Sequence, residues 1–376
     1  MLQDRKIYVP ILPDESKYSL LNTRIMHSNF LKAILALSTI SFLLLACQKD
    51  VSETRLTQQV QHDKKISQSD LPSQLASGLG AGLLGISTGP GGDLFVPDGE
   101  AGEISRVDPK TGDQTTFASG LPQLISVVGI GGITDVAFIG STAYALVSMV
   151  DDPNLFPTGQ VNGIYRIDGP SSFTIIADLG AFNLAHPPTG FEFFVATGVL
   201  YSIERYRAGF LVTDGHLNRV LYVTLDGKIT LLRQFDDIVP TGLAVRGNKI
   251  YMAQAGPAPH DPEDGKVVSF SSKASSITTV AAGSPIVVDV EFGRGQTLFA
   301  LSQGVFGGGE DGSPGLPNTG SLLRINKDGT FSIVADELDQ PTSMEIIGNT
   351  AYIVSLSGEL WTVDNIAGPP FGGHNN

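Results

Sequence analysis

The feature that most constrains this chain is a repeat of roughly 45–55 residues that begins near residue 71. Each unit contains four short runs in which apolar and polar residues alternate, separated by turns rich in Gly, Asp and Asn. The second runs are the most alike: DLFVPD (93–98), TAYALV (142–147), KIYMAQ (249–254), TLFALS (297–302) and TAYIVS (350–355). A period of two with β-branched and aromatic residues predicts strands. No run sustains a period of 3.6, so the pattern largely excludes helices.

Four strands in meander order predict one antiparallel blade per unit. Their first strands are expected at 84–88, 133–138, 197–201, 241–245, 287–292 and 342–347, which makes six units. The last unit ends after its third strand, ELWTVD (359–364), whereas SQLASGL (73–79) matches the outer strand TTFASGLP (115–122). We therefore predict an all-β fold, a single six-bladed β-propeller at residues 71–366, with a flexible tail at 367–376. In it the N-terminal strand completes the last blade, and this closure removes two strand edges that would otherwise be exposed.

The N-terminal region predicts export. Residues 30–46 form a short apolar stretch with Arg24 and Lys32 on its N-terminal side. It runs into LLAC (44–47), and Cys47 is the only cysteine of the chain. This layout is typical of a signal region (1–46), and LLAC resembles a lipobox with cleavage before Cys47. Lipid attachment at Cys47 is the expectation, and an ordinary signal peptide with an incidental cysteine is the alternative. Met26 is a candidate for the true start, because HSNFLK after it gives a more ordinary signal sequence.

The mature chain is expected to be a membrane-anchored lipoprotein of the cell envelope, periplasmic or surface-exposed. Residues 47–70 are polar, mixed in charge and without aromatic residues, which predicts a disordered tether. The full chain has a net charge of −14. Removing residues 1–46 leaves 19 basic and 35 acidic side chains, a net charge of −16. That charge disfavours nucleic-acid binding and attraction to anionic lipid, so the acyl chains are the expected membrane attachment. We expect a monomer.

Loop lengths distinguish the two faces of the predicted ring. Strand direction alternates within a blade, so the connections between strands 1 and 2 and between strands 3 and 4 share one face, named here the short-turn face. Connections 2–3 and 4–1 share the opposite, long-loop face. Long irregular segments fall only on the latter: 119–132, 148–162, 178–196, 255–265 and 303–320. Long loops tend to persist where they bind something, which predicts a binding face.

First strands begin at the long-loop face and line the central channel. Their first channel-proximal residues are predicted to be Gly85, Asp135, Gly198, Gly242, Asp289 and Ser343. Asp135 and Asp289 fall in opposite blades, where they could hold a divalent cation such as Ca²⁺ or Zn²⁺, or ordered water, at the channel mouth. Alternatively, they cap backbone N–H groups of a neighbouring blade. Ser343 and, two residues deeper, Glu291 and Glu345 are further ligand candidates.

Several loop residues are weaker candidates. His260, Asp261, Glu263 and Asp264 form an oxygen-rich cluster with calcium-like chemistry, but their spacing matches no EF-hand, and a solvated loop is the alternative. His186 and Glu192 lie in another long loop with the same ambiguity. His216 is either a ligand or base, or a turn residue, and the turn is favoured. Arg205 and Arg207 either give a basic spot on an acidic body or form a local ion pair with Glu204, and the ion pair is favoured.

The repeat resembles that of the ScyD/ScyE family of exported propellers, which is related to NHL-repeat domains. The resemblance covers about residues 71–365. It rests on SRVDPKTGDQTTFASGLP (105–122), the GITDVAF strand (132–138), IIADLGAFN (175–183), VPTGLAV (239–245), SLLRINKDG (321–329) and the ASGL openings. GFLVTDGHLNRVLYV (209–223) resembles the NHL repeat itself. The family implies a six-bladed propeller and supplies no established catalytic residues.

Two functional classes remain open, and so does whether the chain is an enzyme. One is a binding or scaffold module that recognises a small molecule or an envelope protein through its long-loop face. The other is a metal-dependent hydrolase similar to six-bladed lactonases, which needs a Glu/Asn/Asp ligand set at the channel mouth. Only Asp135 and Asp289 fit that set readily, and the missing Asn ligands weigh against it. The propeller region also contains no cysteine to act as nucleophile.

Overall fold

The computed structural model describes residues 71–82, 84–126, 128–309 and 312–366. The predicted signal region, the Cys47 attachment site, the tether and the C-terminal tail lie outside the described residues. Within the described part, no helix is both long and apolar enough to cross a membrane.

Six four-stranded antiparallel sheets form the blades of a ring, as predicted. Blade 1 contains β2 (Ser87–Thr88), β3 (Leu94–Asp98), β4 (Glu103–Val107) and β5 (Gln114–Ala118). Blade 2 contains β6 (Gly132–Ile139), β7 (Thr142–Ser148), β8 (Gly163–Gly169) and β9 (Ser172–Asp178). Blade 3 contains β10 (Leu200–Tyr206), β11 (Gly209–Asp214), β12 (Arg219–Thr224) and β13 (Ile229–Gln234).

The second half of the ring repeats this plan. Blade 4 contains β14 (Pro240–Arg246), β15 (Lys249–Gln254), β16 (Lys266–Ser271) and β17 (Thr278–Ala282). Blade 5 contains β18 (Val287–Phe292), β19 (Leu298–Ser302), β20 (Gly320–Ile325) and β21 (Phe331–Leu338). Blade 6 contains β22 (Pro341–Ile347), β23 (Thr350–Ser355), β24 (Glu359–Val363) and, as its outer strand, β1 (Ser73–Ser77).

The N-terminal strand closes the ring, which confirms the predicted pairing. Ser73 lies opposite Thr362 and Ser77 opposite Glu359 in an antiparallel ladder. Leu79 continues the attachment, because its N–H donates to the Gly358 carbonyl (3.1 Å) and its side chain is 2% exposed. The first and last strands of the propeller therefore belong to one sheet.

Two features of the connection between blades 2 and 3 differ from the sequence expectation. A short helix, α1 (Leu179–Ala185), follows β9, with the Asp178 carboxylate accepting from the Ala181 N–H (2.8 Å) as an N-cap. The first strand of blade 3 begins at Leu200, three residues later than expected. Gly198 forms a turn instead, with φ of 82° and a hydrogen bond to the Val195 carbonyl. Two single 3₁₀ turns, Pro90–Gly92 and Arg294–Gln296, are the other helical segments of the part of the chain that the structure describes.

The core lies between the blades. Between blades 5 and 6, for example, Phe299, Leu322, Met344 and Ile353 are almost fully buried in one cluster. Because each sheet buries both faces against its neighbours, apolar side chains from adjacent blades fix the position of the inner strands. Those inner strands carry the channel residues.

Candidate functional site

A shared irregularity shapes the channel. Five inner strands have a register shift near their start, between Ile133 and Asp135, Leu200 and Ile203, Pro240 and Leu243, Val287 and Asp289, and Pro341 and Ser343. A β-bulge places an extra residue in one strand and re-aims the neighbouring side chains. In these five blades the bulge brings a residue within it or directly after it to an equivalent position: Asp135, Ser202, Gly242, Asp289 and Ser343.

Asp135 and Asp289 use this position to join neighbouring blades. Asp135 accepts from the Ile203 N–H of blade 3 (2.8 Å) and from its own neighbour Val136 (2.8 Å). Asp289 accepts from the Met344 N–H of blade 6 (2.8 Å) and from Val290 N–H (2.8 Å). Both are nearly buried, at 7% and 6% exposure. Each carboxyl group therefore caps a backbone N–H of the next inner strand.

The preceding blade supplies a glycine for each aspartate. A Cβ on Gly85 would lie 2.4 Å from Asp135 Oδ1, and one on Gly242 would lie 2.0 Å from Asp289 Oδ1. The following blade supplies a serine: Ser343 Oγ donates to Asp289 Oδ2 (2.8 Å), and Ser202 hydrogen-bonds Asp135. The ring thus reads Gly, Asp, Ser twice. Ser202, and not Gly198, is the blade 3 member, because Gly198 packs against Asp214 and Asn183 instead.

A cavity of about 200 Å³ lies between the inner strands. Besides the two aspartates, three glutamates line it: Glu204, Glu291 and Glu345. Glu345 accepts from the Thr88 N–H and hydroxyl of blade 1 (3.0 Å each), a third link between inner strands. The expected ion pair of Glu204 with Arg205 or Arg207 is absent from the ion pairs found among the described residues. Glu204 lines the cavity instead.

The cavity lies deeper than the long-loop mouth. The Tyr201 hydroxyl of blade 3 donates to the Thr342 carbonyl of blade 6 (2.8 Å), which bridges opposite blades. Both residues immediately precede the ring serines, so the bridge lies on the long-loop side of the carboxyl groups. The lining extends along the second halves of the inner strands to exposed Arg205. The acidic cavity is therefore directed towards the short-turn face.

Burial raises the pKa of every carboxyl group in the cavity. The pKa of Asp135 and of Glu204 rises to about 8, and that of Asp289 to about 7, because each group loses hydration. Neighbouring carboxylates add to the effect, with Glu345 the main one at Glu204. Desolvation also raises the pKa of Glu345 and takes that of Glu291 well above its ordinary value. Several of these groups therefore hold a proton near neutral pH.

The donor set does not fit the expected Ca²⁺ or Zn²⁺ site. Both oxygens of Asp135 and of Asp289 already accept hydrogen bonds from the inner strands. The cavity lining contains no Asn, Gln or His. Across residues 71–366 as described, no group of three His, Cys, Asp or Glu side chains is arranged to hold a metal ion. A Glu/Asn/Asp lactonase set is not assembled here.

The candidate loop residues do not converge on a site. His260 is 8% exposed, contacts the Ala255 carbonyl through Nδ1 (3.2 Å) and packs against the Phe306 ring. Asp261 is exposed and Asp264 half-buried, and among the described residues neither belongs to a group of three side chains that could hold a metal ion.

His186 and Glu192, the other candidate loop residues, do not form a site either. His186 stacks on Phe182, with ring centroids 4.3 Å apart, and its Nδ1 lies 2.9 Å from the Phe182 carbonyl. Glu192 is exposed. These contacts make His186 part of the local structure around α1.

His216 holds the backbone of a neighbouring loop on the long-loop face. Its Nε2 accepts from the N–H groups of Phe194 (2.9 Å) and Val195 (3.1 Å). The phenyl ring of Phe194 meets the imidazole edge-to-face and is 47% exposed. His216 is thus a turn residue that also holds the loop displaying Phe194, which sequence reasoning missed because the two residues lie on different connections.

The connections on the long-loop face carry acidic but no basic side chains. They contain no Lys or Arg, whereas they carry many acidic residues, among them Glu100, Asp151, Glu192, Asp236, Asp237, Asp261, Glu263 and Asp339. Among the described residues of these connections, four large apolar side chains are exposed: Leu184 (43%), Phe194 (47%), Val305 (52%) and Leu316 (45%). The face therefore combines negative charge with apolar contact points.

Comparison with known proteins supports the fold. No protein-family model and no curated protein matches the chain. A gluconolactonase from Xanthomonas campestris is similar in structure, with a TM-score of 0.54, 11% identity, and coverage of 78% of this chain and 89% of that one. A putative gluconolactonase is similar in structure, with a TM-score of 0.50, 11% identity, and coverage of 79% of this chain and 93% of that one. A streptogramin B lyase is similar too, with a TM-score of 0.50, 12% identity, and coverage of 79% of this chain and 99% of that one. At these identities the likeness shows a six-bladed propeller and nothing finer.

Proposed function

We propose that this chain is a binding module of the bacterial cell envelope, anchored through lipidated Cys47, whose long-loop face binds a protein partner with basic and apolar surface residues. The observation that carries the proposal is the composition of that face, whose connections lack Lys and Arg and expose large apolar side chains. Complementary charge steers partners and excludes wrong ones, while buried apolar anchors supply most of the affinity.

The loops are held in place before any partner binds. Asn162 Oδ1 accepts from the Val150 N–H (2.9 Å), and Asp152 Oδ2 accepts from the Thr197 N–H (3.2 Å). The second bond connects the 2–3 loop of blade 2 to the connection that carries Phe194. Because ordered loops lose little conformational entropy on binding, they favour recognition over loose display.

A protein suits this face better than a small molecule. Small ligands usually occupy concave, largely apolar pockets. Here the Tyr201–Thr342 bridge crosses the channel on the long-loop side, and the described cavity lies beyond it. The exposed apolar side chains come from separate connections around the ring, an arrangement that a broad protein surface can cover.

The test is capture of a partner from a cell-envelope extract with the lipidated chain, followed by cross-linking. The variant Phe194→Ser/Val305→Ser changes the long-loop face, and Phe173→Ser/Ile333→Ser is the matched control on outer strands, where Ile333 is 66% exposed. We expect one protein to be captured by wild type and control, about tenfold less by the long-loop variant, and less at high salt. Equal capture by both variants contradicts the proposal.

A metal-dependent hydrolase similar to gluconolactonases is the second candidate. The acidic cavity favours it, because clustered carboxyl groups with raised pKa values are frequent in active sites. The donor set and the lack of Asn ligands argue against it. Lactone hydrolysis that needs added Ca²⁺ or Zn²⁺, and that Asp135→Asn abolishes in a folded protein, would replace the first proposal with this one.

A further inference from the structure

Charge on the short-turn face is divided between two halves of the ring. In blades 3, 4 and 5 the turns and adjoining strand ends carry eight basic residues, the basic sector: Arg205, Arg207, Lys228, Arg246, Lys249, Lys273, Arg294 and Lys327. Only Asp226 and Asp328 oppose them there. The corresponding positions of blades 6, 1 and 2 are mainly acidic: Asp93, Asp108, Asp113, Asp168 and Asp364.

The basic sector is available to a partner. All eight side chains are exposed, and none takes part in the three ion pairs found among the described residues. Arg246 lies over the Phe292 ring and Lys249 over the Tyr251 ring, each 5.1 Å from the centroid. These aromatic contacts hold the cations in place without neutralising them.

The acidic cavity beneath the sector does not cancel its charge. Burial raises the pKa of Glu204 to about 8 and that of Glu291 well above its ordinary value. Glu204, the cavity carboxyl group next to Arg205, is therefore largely protonated at neutral pH and takes little from the positive field of the rim. The net charge of the body is negative, but exposed charges act over a Debye length of about 8 Å, so the local sector decides short-range contacts.

The chain enters the propeller on the same face. As the fourth strand of blade 6, β1 runs from the short-turn face towards the long-loop face. Ser73 pairs with Thr362, close to the end of β24 at Val363, which is the short-turn end. The described chain therefore begins on the face that carries the basic sector.

We propose that the basic sector docks against an anionic phospholipid surface, so that the short-turn face lies towards the bilayer and the long-loop face points away from it. The proposed orientation rests on the proposed lipid anchor at Cys47, whereas binding of the basic sector to anionic lipid can be tested in a chain without that anchor. Because only 23 residues separate Cys47 from the first described residue, Leu71, a lipid on Cys47 keeps the propeller close to the headgroups.

The shape of the face favours a bilayer over a compact ligand. Its connections are short turns, and the eight cations are spread over three blades; Arg205 is the one of the eight that lines the acidic cavity. A planar surface of mobile anionic headgroups can meet such a spread of charges at once. Each Lys or Arg that reaches an anionic membrane raises partitioning roughly fivefold.

The test measures partitioning of the mature chain carrying Cys47→Ser onto vesicles of phosphatidylcholine with or without about 30% phosphatidylglycerol. We expect the chain to bind only to the anionic vesicles. In the variant Arg246→Gln/Lys249→Gln/Arg294→Gln the partition coefficient on those vesicles should fall by about tenfold or more. The control Lys110→Gln/Arg166→Gln/Lys266→Gln removes the same charge outside the sector and should bind like the parent chain. Unchanged melting temperatures show that both variants fold.

Equal binding to neutral and anionic vesicles, or an equal loss in the control, overturns the proposal. A second readout tests orientation on vesicles with the lipidated chain, where amide exchange should slow in turns 247–248 and 293–297 and not in loop 303–309. Exchange slowed only in that loop also overturns it. Vesicle binding and partner capture use different faces, so failure of one is distinguishable from failure of the other.

Discussion

At the scale of single residues, the two ring aspartates combine burial with a mechanical task. Asp135 and Asp289 each link the inner strand of one blade to that of the next through a backbone N–H. Buried carboxyl groups are costly unless they are hydrogen-bonded, and here the bonds also join elements distant in sequence. The matching glycines, Gly85 and Gly242, leave room for the carboxyl groups.

Replacing Asp289 should weaken the ring. Asp289→Ala leaves the Met344 N–H and the Ser343 hydroxyl without their acceptor, so we expect the free energy of unfolding to fall by about 2–4 kcal/mol. Ser343→Ala removes one donor and leaves the carboxyl group bonded, so it should cost about 1 kcal/mol. Urea denaturation measures both values. A loss in Ser343→Ala as large as that in Asp289→Ala contradicts this assignment.

Stability should fall as pH rises from about 5 to about 9. The folded-state pKa values of Asp135, Glu204 and Asp289 lie above those of free carboxyl groups, so the folded chain binds more protons in this window. Their contribution is fully present below about pH 4 and is lost as pH passes 7–8, at roughly 1.4 kcal/mol per pH unit for each extra proton bound.

Glu204→Gln removes one of these groups and should flatten the dependence of melting temperature on pH. Exposed Glu263→Gln makes the same charge change on the surface and should leave the slope unaltered. A stability that rises towards pH 9 in the wild-type chain would be incompatible with the raised pKa values.

Sequence reasoning located part of the channel. Asp135, Asp289, Ser343, Glu291 and Glu345 were predicted from strand alternation, and all five line the cavity. Glu204 and Ser202 were missed, because the expected blade 3 strand ended at residue 201 and two nearby arginines suggested an ion pair. The bulge and the Tyr201 bridge depend on contacts between blades, which alternation along one strand does not report.

At the scale of elements, the period-two pattern identified the strands and the closing role of β1. It missed α1, because seven residues give barely two helical turns and the surrounding segment reads as an irregular connection. The capping group Asp178 belongs to the end of β9, so its second role is visible only once the strand boundary is known.

Closure by β1 makes the N-terminal attachment important for the whole ring. Leu79→Ala removes a side chain that is 2% exposed, and we expect a loss of about 2–4 kcal/mol in one cooperative unfolding transition. Leu71→Ala is the control, because Leu71 is 53% exposed and should change stability little. If Leu79→Ala leaves the unfolding transition unaltered, β1 does not hold the ring closed.

At the scale of the whole molecule, charge and loop length divide the propeller into two working faces. The long-loop face is acidic with exposed apolar side chains, and the short-turn face carries the basic sector and the incoming chain. The channel between them is occupied by carboxyl groups that join blades. Net charge predicted that the body would not be attracted to anionic lipid, and only the fold shows how the basic residues are gathered.

The central claim is that binding belongs to the long-loop face and structural support to the channel. The most direct test measures melting temperature and partner capture in parallel for Asp289→Asn and for Phe194→Ser/Val305→Ser. We predict that the channel variant melts at a lower temperature yet captures the partner when assayed well below that temperature, whereas the long-loop variant keeps its melting temperature and loses capture. A channel variant that stays equally stable but no longer binds, beside a long-loop variant that binds normally, would contradict the account.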